Sequence, residues 1–357
     1  MKNSMHPLRS PKGKPSGGSD RMTEGIHPAN VAANARSGPG SWGSVKRIVG
    51  DYRTEAAIAG AIIVIELIAG AIVPAALTMG NIVNIVQAAA PLVIMTFGEL
   101  LVIITAGIDL SVGAVFSLTG MITGLALVNH LGIPLAVAAG LGVGVGFGAM
   151  NGLLVTLGGL APFVVTLISY AVAGSLAFIV TNGDSLPIST AGFGWINSGT
   201  IIPGVANYFL YCVVLVVVIE VFLKKMVAGR WVYAAGSASQ AARLLGVPVR
   251  RVKFMAYVVS GLLASSSAIV SLSYISSAEA TAGSALMLQS IAAVVIGGAS
   301  LFGGTGTAVG ALLGALMITV IQNGVNLIGI NSFWQGSVTG AVILVAVLVD
   351  RVGKSRR

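Results

Sequence analysis

Four carboxylates interrupt otherwise apolar runs of this 357-residue chain: Glu66, Glu99, Asp109 and Glu220. A charge in hydrocarbon is expensive, so each is a candidate for an ion site, a relay or a structural cap. Ion-coupled transport would need such groups near the bilayer midplane with polar partners. No Lys or Arg shares their runs, so none has a cation at its own depth. Glu220 stands one helical turn before Lys224, the spacing of an interfacial ion pair. Asp109 precedes Leu-Ser-Val-Gly, where a carboxylate either caps the free N–H groups of a helix start or touches a substrate. Glu66 and Glu99 have no such local account and stay open as ion sites.

Enzyme chemistry finds little support. No Gly-x-x-x-x-Gly-Lys-Ser/Thr phosphate loop occurs, and Gly304-Thr305-Gly306 lacks the strand and βαβ setting of a dinucleotide fingerprint. His6, His27 and His130 do not have metal-ligand spacing, and no nucleophile–base pair stands out, so no cofactor or metal is expected. Cys212 is the single cysteine and excludes an intrachain disulfide.

Charge and hydropathy dictate what positions these groups. Hydrophobic residues make up 55% of the chain, charged residues 9%, and mean hydropathy is +0.94. A soluble domain would expose large apolar patches at that composition, so the chain is a polytopic membrane protein. A soluble enzyme, a disulfide-stapled scaffold and a nucleic-acid-binding domain are excluded. All 20 Lys and Arg fall in three places: nine in 1–55, seven in 224–253 and four after Asp350. Basic residues collect on the cytoplasmic side. The three clusters and both termini are therefore expected there, and each basic-free stretch crosses the membrane an even number of times.

A span needs about 20 apolar residues. The first stretch holds runs at 56–75, 84–106, 111–128, 134–157, 161–180 and 206–223. The second holds 254–275, 287–302, 307–328 and 333–349. The expectation is an all-α bundle of ten transmembrane helices, with 287–302 short enough to be broken or re-entrant. Residues 1–55 lack the apolar core of a signal peptide. They read as a disordered basic extension in the cytoplasm, within reach of anionic headgroups through Lys46, Arg47 and Arg53. Residues 56–350 are the membrane domain, 224–253 its cytoplasmic loop and 351–357 a basic tail. The external loops 181–205 and 276–286 are too small for a receptor or enzyme head.

Gly140, Gly144, Gly148 and Gly152 recur every fourth residue and bare one side of a span, for tight packing or for a sliding interface. Gly310 and Gly314 repeat the device. In the cytoplasmic loop Ser239 can cap a short helix Gln240–Leu245 that Gly246 ends and Pro248 keeps from continuing. So short a helix is unstable alone and needs a surface, either a partner's groove or lipid.

Four segments then carry a resemblance: Gly107-Ile-Asp-Leu-Ser111, Thr181-Asn-Gly183, Ala241-Ala-Arg-Leu-Leu-Gly-Val-Pro-Val-Arg-Arg-Val-Lys253 and Ile291-Ala-Ala-Val-Val-Ile-Gly-Gly-Ala-Ser-Leu-Phe-Gly-Gly304. In this order and at these spacings the chain resembles the ribose-type sugar permeases of bacterial ATP-binding-cassette importers, from about residue 50 to Asp350. The resemblance implies an inner-membrane permease that pairs with a second copy of itself around a central path. A periplasmic sugar-binding protein would deliver a monosaccharide or polyol, and a separate cytoplasmic ATPase would drive the cycle. The loop would be the coupling helix that docks on the ATPase, with Gly236, Ser239, Ala241, Ala242, Arg243 and Gly246 at the contact. Candidates for the path are Asp109, Asn151, Gln289, Gln322 and Asn323, each also a candidate for an ordinary interhelical hydrogen bond. The chain departs from the family's usual pattern at Met287-Leu288-Gln289, where an acidic triplet is common near the external end of a span, and at Ala235-Gly236-Ser237, where Gly-Gly-Asn is usual. Alternatives are a branched-chain amino-acid permease of the same architecture, a stand-alone ion-coupled carrier using Glu66 or Glu99, and a scaffold.

Overall fold

The computed structural model describes residues 53–331 and, beyond them, 334, 336, 337, 340, 341 and 344. The extension up to residue 52, most of the 333–349 run and the 351–357 tail lie outside the described residues. Twelve α-helices follow in order: α1 (Arg53–Ile72), α2 (Met79–Ile104), α3 (Val112–Val128), α4 (Ile133–Thr156), α5 (Pro162–Ile179), α6 (Trp195–Ser198), α7 (Asn207–Lys225), α8 (Val227–Ser237), α9 (Ser239–Leu244), α10 (Val249–Ile275), α11 (Ser284–Ile296) and α12 (Ala308–Leu327). Nine of the ten predicted spans have a helix here.

Among the described residues seven helices are long and apolar enough to cross a membrane: α1, α2, α4, α5, α7, α10 and α12. Helices α3 and α11 are shorter, so the described residues hold seven long and two short apolar helices. Helix α11 has 13 residues; at 1.5 Å per residue it reaches about 20 Å, against the roughly 30 Å of a hydrocarbon core. Arg53–Glu55 are helical, so the N-terminal extension ends earlier than residue 55.

Local chemistry sets the ends. Pro74 follows α1 and opens a 3-10 turn, and the Thr78 side chain accepts from Asn81 N at the start of α2. Gly132, at φ +80°, with Pro134 opens α4, and Pro162 opens α5. A two-residue antiparallel pairing, Leu186–Pro187 with Ser277–Ala278, ties together the loops predicted to be external.

Helices α2 and α10 form the centre, with 89% and 72% of their apolar windows buried, against 22–28% for α1, α4, α5 and α7. They cross closely because Gly98 faces Ser260, and Ser267 Oγ donates to the carbonyl of Pro91 (2.5 Å) inside α2. The glycine stripe of α4 lies mainly on α10. A Cβ at Gly144 would strike the Gly261 carbonyl, at Gly148 the Tyr257 carbonyl, and at Gly152 the backbone and ring of Phe254. Gly140 faces Thr119 and Thr123 of α3 and Ile269 of α10. Gly142 and Gly146, on the other side of α4, meet nothing. Gly310 and Gly314 let α12 approach the carbonyls of Gly297 and Ala293 in the same way.

Candidate functional site

One end of the bundle gathers the C-terminus of α2, helices α8 and α9, the first turn of α10 and the glycine-rich turn at 297–306. It also carries all seven basic residues of the 224–253 segment. Just inside it, the segment between α2 and α3 folds Asp109 into the core. Asp109 Oδ1 accepts from Ser111 N (3.0 Å) and Ser111 Oγ (2.5 Å), and Oδ2 accepts from Ser260 Oγ (2.9 Å). Asp109 N donates to Glu99 Oε1 (3.2 Å). Ser111 Oγ accepts from Asn151 Nδ2 (2.8 Å), and Asn151 Oδ1 accepts from Ser169 Oγ.

This polar node joins α2, α4, α5, α10 and the entry to α3, with Glu99, Asp109, Ser111, Asn151, Ser169 and Ser260 each at most 2% exposed. Glu99 Oε2 and the Tyr257 hydroxyl are buried without a hydrogen bond. The expected capping role of Asp109 holds in a modified form. Ser111 is the N-cap of α3 and makes no side-chain cap bond, so Asp109 fixes the residue before the helix rather than its first turn. Asp109 and Asn151 therefore meet in one network. Asn323 is elsewhere, exchanging two hydrogen bonds with Asn81 (3.0 and 3.1 Å). Gln289 is buried on α11, and Gln322 Nε2 on α12 finds no acceptor. Met287 packs against Gly113, at the start of α3, and Gln289 is buried, while Leu288 between them is exposed, so the departure from the acidic triplet falls on two packed positions and one outward one in the first half of α11.

Glu66 and Glu99 do not form one site. Glu66 lies by Asn81, and Asn81 and Glu99 are 18 residues apart on α2, about 27 Å along the axis. Among the described residues no His/Cys/Asp/Glu cluster could hold a metal ion. Glu220 forms the expected pair with Lys224 (2.5 Å) and has a second role that the sequence did not reveal. Its Oε2 accepts from Ala308 N (2.9 Å), placing negative charge at the N-terminus of α12. There the Thr307 side chain accepts from Gly310 N (3.0 Å) and donates to Glu55 Oε1 (2.8 Å).

The cytoplasmic-loop expectation is corrected in two respects. Most of 224–253 is helix: α7 runs to Lys225, α8 fills 227–237 and α10 begins at Val249. Ser239 is not a cap. Only Ala238 separates α8 from α9, so the cap position falls on Ala238 and Ser239 is the first helical residue, with no side-chain cap bond. Gly246 does end the helix, at φ +84°, with Gly246 N donating to the Arg243 carbonyl and Val247 N to the Ala242 carbonyl.

Gly236 sits in a backbone knot. A Cβ there would collide with the Ile104 carbonyl, which also accepts from Gly304 N (2.9 Å). Gly304 lies against Ser237, and Gly303 against Ala106. Tyr233 hydroxyl donates to the Gly306 carbonyl (2.7 Å). Burial, with Glu220 adding, raises this phenol above its ordinary value, so it stays a donor. Helix α9 turns Ala242 inward, 5% exposed, so its side chain packs within the chain. Leu244 and Leu245 point outward, 90% and 85% exposed, and Phe302 at the tip of the glycine-rich turn is 88% exposed. Sequence reading passed over these three, because apolar letters in an apolar chain give no sign of pointing at water.

The comparisons agree with this architecture. The family profile described as "Branched-chain amino acid transport system / permease component" matches residues 81–347. The chain is similar to the probable ABC transporter permease protein y4mJ of Sinorhizobium fredii, 67% identical over 92% of this chain and 98% of that one. It is 38% identical to the ribose import permease protein RbsC of Escherichia coli over 81% of this chain and 91% of that one. Identity to the D-allose transport system permease protein AlsC of Escherichia coli is 31%, over 77% and 85% of the two chains. No solved structure matches. A long-helix bundle with a buried polar node, a short helix with bare leucines and these relatives make the chain a multi-pass membrane protein that belongs to the ABC-transporter permease family described by that profile.

Proposed function

We propose that the chain is the permease subunit of an ATP-driven importer carrying a monosaccharide or polyol from periplasm to cytoplasm. Two of the relatives above are named as ribose and D-allose permeases, which supports a sugar over a branched-chain amino acid. The basic end is cytoplasmic. There a separate ATPase grips α9, and a periplasmic sugar-binding protein docks at the opposite face. A second copy of the chain and membrane lipids cover the outward apolar faces of α1, α4, α5 and α7, and the path runs between the two copies.

The observation that carries the mechanism is the knot of Ile104, Gly236 and Gly304, closed by one hydrogen bond and by backbone contacts too tight for a Cβ. Packed backbones are bistable rather than soft, so a displacement of α8–α9 imposed by the ATPase passes to Ile104. Five residues on, it reaches Asp109 and the helices wired to it. Differential contacts of the ATPase in its nucleotide states then shift the bundle between outward and inward openings. Asp109 and Asn151 position helices, and Asn323 is paired with Asn81, which leaves Gln289 and Gln322 as the amides for passing hydroxyls.

The test is reconstitution with the co-encoded ATPase and binding protein, measuring ATP hydrolysis and uptake across pentoses, hexoses and polyols. Sugar-dependent stimulation, lost in Leu244→Ser/Leu245→Ser, is expected. Uptake by this chain alone on an ion gradient would overturn the reading.

A further inference from the structure

A cleft of about 510 Å³ opens between the end of α9 and the first turn of α10, lined by Arg243, Pro248, Val249, Arg250 and Arg251. All three arginines are exposed and, among the described residues, none is in an ion pair. Four carboxylates of the described residues are committed elsewhere. Glu220 and Glu55 serve the start of α12, and Glu99 and Asp109 lie in the buried node. Three guanidinium groups around one cleft repel each other until an anion enters, and their planar forks match a carboxylate in bidentate geometry.

We infer that this cleft is a socket for an acidic side chain of the ATPase, seated between Arg243, Arg250 and Arg251 while Leu244 and Leu245 enter an apolar pocket beside it. The inference rests on the permease reading above and adds the chemistry of the partner. A protein is favoured as the source of the anion because Arg243 is followed directly by the two most exposed leucines among the described residues. An apolar centre edged by arginine is the make-up of a protein–protein interface. The ATPase therefore presents an apolar hollow with one or two carboxylates at its rim, and docking weakens with salt.

The experiment measures binding of the co-encoded ATPase to the full-length permease in nanodiscs, at low and high KCl. It uses neutral phosphatidylcholine discs and discs containing phosphatidylglycerol. In neutral discs Arg250→Glu/Arg251→Glu is expected to weaken binding at least about thirtyfold, the scale set by an unpaired charge in an interface. Arg250→Lys/Arg251→Lys should lose less, and the salt dependence should flatten in the charge-reversal variant. Arg250→Gln/Arg251→Gln serves if charge reversal lowers the yield of folded protein. Wild-type binding by the arginine variants, with Leu244→Ser/Leu245→Ser abolishing it, overturns the socket and leaves the permease reading standing. Wild-type binding by all variants overturns the socket and the α9 contact, whereas a wild-type chain that binds no ATPase in either disc overturns the permease reading. An arginine effect confined to phosphatidylglycerol discs assigns the cleft to a lipid headgroup and also overturns the socket.

Discussion

The interior around Asp109 and the surface around Leu244 are built on opposite principles. In the node, nearly every polar atom is bonded within the chain, through five helices, and almost no water reaches it. On α9 and the glycine-rich turn, Leu244, Leu245 and Phe302 stand almost fully bare, and the arginines that line the cleft at the end of α9 are in no ion pair among the described residues. A buried polar group without a partner costs stability, so an interior site must be complete in itself. A surface whose partner is another chain is complete only in the assembly. The two regions should therefore respond oppositely to mutation, the node through stability of the isolated permease and the surface through assembly.

The largest effect on stability should come from Asp109→Ala. It removes the acceptor for Ser111 N, Ser111 Oγ and Ser260 Oγ at once. At about 1 kcal/mol or more for each orphaned group, a loss of about 2–4 kcal/mol is expected, read as a fall in thermal unfolding temperature in detergent. Asp109→Asn, which keeps one acceptor oxygen, should lose less. An alanine variant as stable as wild type would remove the node's claim to hold the bundle.

Next in size is a paired test on α4. Gly144→Ala drives a Cβ into the Gly261 carbonyl, while Gly146→Ala points into open space. The first should cost about 1–3 kcal/mol by overpacking; the second should be neutral or slightly stabilising, since alanine favours a helix. Equal effects would mean that α4 and α10 are not in this register. Glu220→Gln is smaller again, about 0.5–1 kcal/mol, because it keeps an acceptor for Ala308 N and loses only charge at the start of α12 and the pair with Lys224. Added salt should shrink the difference between Glu220→Gln and wild type in the same unfolding assay.

These effects mark where sequence reasoning reached and where it stopped. Nine spans were legible because an apolar run of that length has few alternatives. The glycine stripe was legible because its spacing is that of one helix face, and the stop at Gly246 because its αL conformation suits glycine. The partners were not legible. Asp109 could be placed at a helix entry, but Ser260, 151 residues away, leaves no local trace. Ser239 had the chemistry of a cap, yet α8, which runs to Ser237, displaced that position by one residue. Uniform hydrophobicity also erases the usual cue for burial: α2 and α5 have the same mean hydropathy of 1.9, yet 89% of one apolar window is buried and 28% of the other.

Phe302 sharpens the contrast, because it belongs to the surface by exposure and to the knot by attachment. Its turn is closed by Gly303 N to the Ser300 carbonyl (2.9 Å) and by Phe302 N to Ser300 Oγ (3.3 Å), and the next residue but one, Gly304, is bonded to Ile104. The ring is thus held out on a stiff support rather than left on a loose loop. Phe302→Ser should leave the isolated permease within about 0.5 kcal/mol of wild type, the usual range for an exposed site. Sugar-stimulated ATP hydrolysis by the assembled importer should nevertheless fall, because a partner that moves α9 also bears on a rigid ring tied to the same carbonyl. Loss of stability in the isolated chain would instead put Phe302 with the node, as a residue packed by its own chain. Unchanged stability with unchanged ATP hydrolysis would confine the docking surface to α9 and the arginine cleft.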